Sequence, residues 1–346
     1  MKNSTDTNLT PPTADPTANP ASQHANPDQP SHDGIDRRNF LSCMAWAGTG
    51  LLWTMAGGVP TSRLFAATPS AAPMQSHDAG FSFVQISDSH IGFNKAANQD
   101  VAGTLQLAVD KINAQVNAIP SGSPDLLIHT GDITQSAKAS EFDTAAQILK
   151  SSRITDVHYV PGEHDTATDD GQLYLERFGK GTRGSGWYSF THKGVHFVGL
   201  NNSRQVDAMG TLGPEQLAWL KQDLAALTPS TPIVVFAHIP LWMVYPQWGW
   251  GTSDGAEALS YLKRFGSVTV LNGHIHQIVQ KVEGNVSFHT ACSTAFPQPA
   301  PGSAPSAGPM TVPAGKLRSV LGVTQVHYIG RRSSLAIVDS SLQSTM

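Results

Sequence analysis

Residues 81–90 read FSFVQISDSH, a short apolar run that ends in Asp88-x-His90. The pattern over 81–86 predicts a β-strand. On an extended chain, residues i and i+2 point to the same side, so the Asp88 carboxylate and the His90 imidazole can reach one ion. The stretch therefore predicts a strand that carries a potential pair of metal ligands at its carboxyl end.

The same arrangement recurs at later strand ends. Predicted strands at 125–129, 157–160, 233–237 and 268–271 are followed by Gly131-Asp132, Gly162-Glu163-His164-Asp165, His238 and Gly273-His274-Ile275-His276. Ligand sites in open α/β sheets lie at the carboxyl ends of the strands. A single Asp-x-His or Gly-Asp is more often a coincidence or a turn, and Gly-His-x-His is only moderately specific. All of these motifs in this order indicate a metal site.

Helical and strand patterns alternate after residue 80. Helices are predicted at 101–119, 141–149 and 214–227, a hairpin at 187–190 and 195–200, and further strands at 279–282 and 286–289. Strands that alternate with helices and then pair indicate an α/β or α+β layered fold. The proline-rich stretch 296–315 predicts a long irregular loop.

Composition excludes several classes of protein. The formal net charge of −4 argues against a sequence-independent nucleic-acid binder, so no nucleic-acid partner is expected. Two cysteines, Cys43 and Cys292, exclude a disulfide-stapled scaffold and an all-cysteine zinc site. The chain holds 14 histidines, and histidine is the commonest metal ligand.

The amino-terminal region differs from the rest of the chain. Residues 1–36 are polar, so we expect them to be disordered. Arg37 and Arg38 precede an uncharged, mildly hydrophobic stretch at 41–59, which predicts a weak helix and resembles a twin-arginine export signal. The alternative is a permanent transmembrane anchor. We therefore expect residues 1–67 to be a disordered segment plus signal peptide, and residues 80–340 to form one domain.

The ordered motifs from Asp88 to His276 resemble those of the calcineurin-like metallophosphoesterase superfamily, whose pattern is D-x-H, G-D, G-N-H-D or -E, H and G-H-x-H. The resemblance implies an α/β (α+β layered) fold, with two mixed β-sheets packed face to face and flanked by helices. It also implies two metal ions, iron, manganese or zinc. It implies that one metal is held by Asp88, His90 and His276, that Asp132 bridges both, and that the other is held by His238 and His274.

The resemblance assigns roles to two further residues. His164 is similar to the family histidine that contacts the phosphate and helps the leaving group, and Asp165 is expected to orient and polarise His164 from behind. Two bridged divalent ions lower the pKa of a shared water and clamp the phosphate oxygens during in-line displacement. A neighbouring imidazole can donate a proton to the departing alkoxide.

Glu163 departs from the family pattern, which has Asn at this position. A glutamate ligand adds a negative charge to the site, which should tighten metal binding, favour a more highly charged ion such as ferric iron, and make the site less attractive to phosphate. The alternative is that Glu163 swings aside and the second metal is weak or lost.

The expected function is an exported, metal-dependent phosphoesterase that acts on a small-molecule phosphate mono- or diester, through a dinuclear centre and the hydroxide it generates. The twin-arginine leader would bring it, by the export machinery, to the periplasm or the exterior, or leave it membrane-anchored if uncleaved. The alternative function is a non-catalytic or single-metal binding protein on the same fold.

Overall fold

The computed structural model describes residues 80–118, 123–203, 208–329 and 334–343, together with the backbone of two earlier strands. The chain divides into two compact units, Met1–Ala71 and Ala72–Met346. In the first unit, β1 (Gly50–Ala56) and β2 (Val59–Phe65) form an antiparallel pair.

The weak helix predicted over 41–59 is therefore wrong for residues 50–56. Glycine disfavours helices, and the Gly-Gly dipeptide that separates the two strands in the sequence is typical of two-residue hairpin turns. The disorder predicted for 1–36 and the twin-arginine motif at Arg37 and Arg38 lie outside the described residues.

Two mixed sheets make up the second unit. The five-stranded sheet has the order β13-β12-β3-β4-β5 and contains β3 (Phe81–Ile86), β4 (Leu126–His129), β5 (Val157–Tyr159), β12 (Gly322–Ile329) and β13 (Ser334–Ser341). The six-stranded sheet has the order β10-β11-β9-β8-β7-β6 and contains β6 (Tyr188–His192), β7 (Val195–Leu200), β8 (Ile233–Ala237), β9 (Val268–Asn272), β10 (Gln280–Glu283) and β11 (Val286–Thr290).

Helices connect these strands. They are α1 (Val101–Ala118), α2 (Ala139–Leu149), α3 (Glu163–Thr166), α4 (Gln172–Phe178), α5 (Pro214–Ala225), α6 (Gly255–Leu262) and α7 (Leu317–Val320), with a 3₁₀ turn at Pro246–Trp248. Helix α5 begins with Pro214 at its first turn, where a missing N–H costs nothing. None of the helices in the described ranges is long and apolar enough to cross a membrane. The stretch 296–315 is irregular, as predicted.

Alternating strand residues place each sheet between two cores. Phe83 of β3 packs with Phe197 and Phe236 of the other sheet, so these side chains fill the space between the sheets. Val84 and Ile86 point to the opposite face, where they meet the apolar side of α1 and α2. The outer face of the six-stranded sheet packs on α5 and α6 in the same way. The fold is therefore two mixed sheets packed face to face and flanked by helices, and the predicted fold class is confirmed.

Parallel pairing determines where the strand ends lie. Strands β3, β4 and β5 run parallel to one another, and so do β7, β8 and β9. Their carboxyl ends consequently share one edge of each sheet. The loops that leave these edges carry the motifs identified in the sequence.

Deletion of residues 1–66 is expected to leave the second unit folded and active, because Ala72–Met346 has cores of its own. Circular dichroism and thermal denaturation should show a cooperative transition like that of the full chain. Deletion of residues 1–86 is the control, because it removes β3, which pairs with both β4 and β12, and should abolish folding. Insoluble or unfolded protein from the shorter deletion would contradict the expectation.

Candidate metal centre

The loops after β3, β4, β5, β8 and β9 bring the predicted ligands together. Their ligand atoms form four groups in which all atoms lie within 4.8 Å of one another: Asp88, His90 and His276; Asp88, Asp132 and His238; Glu163, His238 and His274; and His90, Asp132 and His164. All of these side chains are buried except His164, which is half-buried. The structure thus collects in one place every residue that the sequence predicts as a ligand.

The backbone of several of these residues is in the left-handed region. The positive φ angles are 53° at Asp88, 43° at His90, 49° at Asp132, 70° at His274 and 52° at His276. Such angles are uncommon outside glycine and persist only where the surrounding structure enforces them. The fold therefore stores strain at this site and fixes these side chains in advance.

Two motif glycines allow the loops to pack directly on the carboxylates. A Cβ atom at Gly162 would overlap the carboxylate and backbone nitrogen of Asp132, and one at Gly273 would overlap Ser87 Oγ and the carboxylate of Asp88. A backbone N–H just after each glycine donates to the same carboxylate: His274 N–H to Asp88 Oδ1 and His164 N–H to Asp132 Oδ1, each at 3.0 Å. Glycine is therefore needed at both positions, because no side chain fits between the loop backbone and the neighbouring carboxylate.

Asp132 lies between the two halves of the cluster. Its Oδ2 atom is 3.5 Å from His90 Nε2 and 3.3 Å from His238 Nε2. Its Oδ1 atom accepts a hydrogen bond from the backbone N–H of His164 at 3.0 Å. This carboxylate faces ligands from both sheets, which is the position that a bridging ligand needs.

Hydrogen bonds to main-chain carbonyls set the tautomers of two histidines. His276 Nδ1 donates to Phe296 O at 2.6 Å, and His238 Nδ1 donates to Thr130 O at 2.7 Å. A metal-binding histidine usually donates its other ring N–H in this way. In the neutral form of each ring, Nε2 then carries a lone pair and faces a carboxylate. His276 Nε2 lies 3.3 Å from Asp88 Oδ1, and His238 Nε2 lies 3.3 Å from Asp132 Oδ2.

Glu163 reaches both histidines of the second half. Its Oε2 atom is 3.0 Å from His238 Nε2, and its Oε1 atom is 3.0 Å from His274 Nδ1. Despite these short distances, Glu163 Oε2, His238 Nε2 and both ring nitrogens of His274 have no hydrogen-bond partner. Buried polar atoms normally have partners, so these orphaned atoms indicate a group that is held among them.

The residues fit metal ions. Carboxylate oxygens and imidazole lone pairs converge in a buried space, where their mutual repulsion is relieved by a cation. Mixed nitrogen and oxygen ligands suit zinc, iron and manganese. The assignment of each residue to a particular ion stays a prediction.

The protonation states differ among the clustered side chains. Burial lowers the pKa of His90 to about 3, which keeps the ring neutral and able to bind a metal. Burial opposes ionisation of Glu163, but the charges of His274 and His238 hold its pKa well below the usual range. Glu163 and His90 are thus in the form that a metal requires. Burial opposes the charge of His238, but the carboxylates of Asp132 and Glu163 raise its pKa well above the usual value, so a metal that binds there would displace a proton.

Residues 81–278 match the family model described as calcineurin-like phosphoesterase. This match covers more than half of the chain. The chain belongs to the calcineurin-like phosphoesterase family.

Individual relatives are distant. A probable glycerophosphodiester phosphodiesterase GpdQ from Arcobacter nitrofigilis is 28% identical over 173 residues, which cover 45% of this chain and 56% of the relative. A serine/threonine-protein phosphatase CPPED1 from Danio rerio is 28% identical over 222 residues, which cover 57% of this chain and 70% of the relative. The chain thus spans about half the length of the GpdQ relative.

Among solved structures, a dimetal phosphatase from Danio rerio is similar with a TM-score of 0.50 and 15% identity, and the match covers 76% of this chain and 99% of that chain. At this identity the likeness shows the fold alone. It agrees with two mixed sheets flanked by helices.

The structure corrects the expected role of Asp165. Its carboxylate accepts backbone N–H groups from Ile133 at 3.0 Å, Thr134 at 2.8 Å and Gly162 at 3.0 Å, together with the Thr134 hydroxyl at 2.8 Å. The ring of His164 instead donates from Nδ1 to the carbonyl oxygen of Gln135 at 2.8 Å. Asp165 therefore does not orient the ring of His164 by a hydrogen bond. It joins the loop that contains Ile133 and Thr134 to the loop that contains Gly162.

Two contributors were missed by sequence reasoning. Gln135 orients His164 through its main-chain carbonyl, which no side-chain motif can reveal. Phe296 accepts the His276 N–H, and its ring centroid lies 4.8 Å from the ring centroids of both His90 and His276. The only available signal was its position at the start of the proline-rich stretch.

Asp132→Ala is expected to remove more bound metal than His164→Ala. The Asp132 carboxylate faces ligands of both halves, whereas the His164 ring is anchored by Gln135 and lies at the half-buried margin. Metal analysis after dialysis measures the difference. A metal-free His164→Ala together with a fully loaded Asp132→Ala would overturn the assignment.

Asp165→Asn is expected to destabilise the fold by about 3 kcal/mol, because a charged acceptor of several buried N–H groups is replaced by an amide. Urea denaturation measures the change in the free energy of unfolding. Asp170→Asn is the control, since that side chain is exposed. Unchanged stability together with a shifted pH profile of turnover would instead support the polarising role.

Proposed function

We propose that this protein is a metal-dependent phosphoesterase that hydrolyses a small-molecule phosphate mono- or diester at a dinuclear centre. The observation that carries the proposal is the position of Asp132, whose carboxylate lies between a cluster with His90 and a cluster with His238. A carboxylate shared by two ligand groups is the arrangement that two-metal sites use. Relatives named as phosphodiesterases and as a phosphatase support the same reaction type.

When bound, the metal ions supply an acidified water and neutralise charge on the phosphoryl group. The chain's own residues do the rest. Burial of Asp88, Asp132 and Glu163 excludes water from the ligand side of the site. His164, with Nδ1–H committed to Gln135, has Nε2 left to hold the proton that the leaving alkoxide needs.

Export is part of the proposal. The Arg37-Arg38 pair, followed by the uncharged stretch 41–59, supports recognition by the twin-arginine export machinery and a periplasmic or secreted location. The polar composition of residues 1–36 supports a leader that does not contribute to the catalytic unit. If the leader stays uncleaved, the protein remains membrane-anchored.

The test is turnover of an aryl phosphate monoester and an aryl phosphate diester, measured side by side on metal-free protein to which manganese, iron or zinc is returned. Turnover is expected only after metal addition. His164→Ala should keep its metal and lose about a hundredfold or more in kcat, which is the usual contribution of a general acid. Protein that holds metal at both positions and cleaves neither ester would instead support a non-catalytic metal-binding protein.

A further inference from the structure

Glu163 places a third carboxylate in the centre, beside those of Asp88 and Asp132. Its two oxygens each lie 3.0 Å from a histidine nitrogen, so the carboxylate is directed into the second half of the cluster. The side chain is 6% exposed, which leaves little room for it to turn away. The family motif carries a neutral asparagine here, so this ligand set is more negative by one unit.

Nothing nearby restores that charge. The ion pairs that the described residues make to Asp88, Asp132 and Glu163 all come from histidines: His90, His238, His274 and His276. Within the described ranges, no lysine or arginine forms an ion pair with these three carboxylates. The counter-charge for a bound phosphate ester therefore comes from the metal ions and from His164 in its protonated form, and no lysine or arginine of the described ranges offsets the charge of Glu163.

The charge of the ester then decides how well it binds. A phosphate monoester carries close to two negative charges at neutral pH, because its second pKa is about 6, whereas a diester carries one. The Glu163 carboxylate repels each negative charge of a bound ester. This repulsion is strong because the charges lie a few ångströms apart in a buried site, and it acts on two charges in the monoester but on one in the diester. The penalty from Glu163 is therefore greater for the monoester.

We propose that Glu163 makes this centre selective for phosphate diesters over phosphate monoesters. The inference rests on the proposed function, since it names the substrate class of the same site. The negative charge of Glu163 then has two effects: it tightens metal binding, and it weakens binding of the doubly charged ester.

The experiment compares wild type with Glu163→Gln, which removes the charge at nearly constant shape, and with Glu163→Asn, which restores the family residue. The substrates are bis(p-nitrophenyl) phosphate and p-nitrophenyl phosphate, which share a leaving group, at pH 8 and saturating metal. The exposed Glu215→Gln is the matched control. Bound metal is counted in every sample, and the dissociation constant of the weaker metal is measured by titration.

Wild type should prefer the diester in kcat/KM, and both substitutions should lower the diester-to-monoester ratio by at least about tenfold, as expected for one charge in a buried site. The weaker metal should bind less tightly in both variants. Glu215→Gln should change neither quantity. A wild-type preference for the monoester, or an unchanged ratio in fully loaded Glu163→Gln, would overturn the proposal, and a tighter second metal in Glu163→Asn would show that Glu163 points away.

A binding measurement separates this inference from the proposed function. Calorimetric titration of metal-loaded protein with inorganic phosphate and with dimethyl phosphate compares a doubly and a singly charged anion without turnover. Removal of the Glu163 charge should tighten phosphate at least about tenfold more than dimethyl phosphate. Equal changes for both anions would refute the selectivity, whereas loaded protein that cleaves neither ester refutes only the proposed function.

Discussion

The buried carboxylate of Asp132 is the group on which the rest of the centre depends. A charge in this position is costly unless partners surround it, and its partners come from different parts of the chain: His90 follows a strand of one sheet and His238 follows a strand of the other. The two sheets must therefore meet at their carboxyl edges. The lack of a side chain at Gly162 allows the next loop to close over the same carboxylate, and the His164 N–H then fixes its orientation.

This arrangement needs a rigid base because its ligands have strained backbones. Beneath the centre, the side-chain amide of Gln85 donates to Thr130 Oγ1 and to the carbonyl of Asn272, each at 3.0 Å, and so joins the two sheets. Asn272 in turn donates to the carbonyl of Ala237 at 2.9 Å, beside the ligand His238. Left-handed turns that would relax in isolation are held by this buried network. The same hydrogen bonds therefore join the two sheets and fix the positions of the ligands.

The sequence predicted the features that follow from local pattern. The apolar run over Phe81–Ile86 correctly predicted a strand, and its Asp-x-His ending correctly predicted two clustered side chains. The extended-chain reason for that pair was wrong, because Asp88 and His90 lie after the strand with left-handed backbones. The role of Asp165 could not be predicted, since its partners are backbone N–H groups brought near by folding. Helix α4 is too short for a clear 3.6-residue period. The helix predicted over 41–59 rested on hydrophobicity and gave too little weight to the Gly-Gly dipeptide, which is typical of turns between antiparallel strands such as β1 and β2.

The single turn α3 explains how the charge of the centre can change while its architecture stays fixed. Successive residues of a helix point about 100° apart, so Glu163, His164 and Asp165 face different surroundings. Glu163 meets the histidines of the cluster, and His164 turns to the carbonyl of Gln135. Asp165 accepts the backbone N–H groups of the loops that hold the turn in place. Because the anchor and the ligand are separate residues, a carboxylate can replace an amide at position 163 without disturbing the anchor, and the fold can carry centres of different charge on one scaffold.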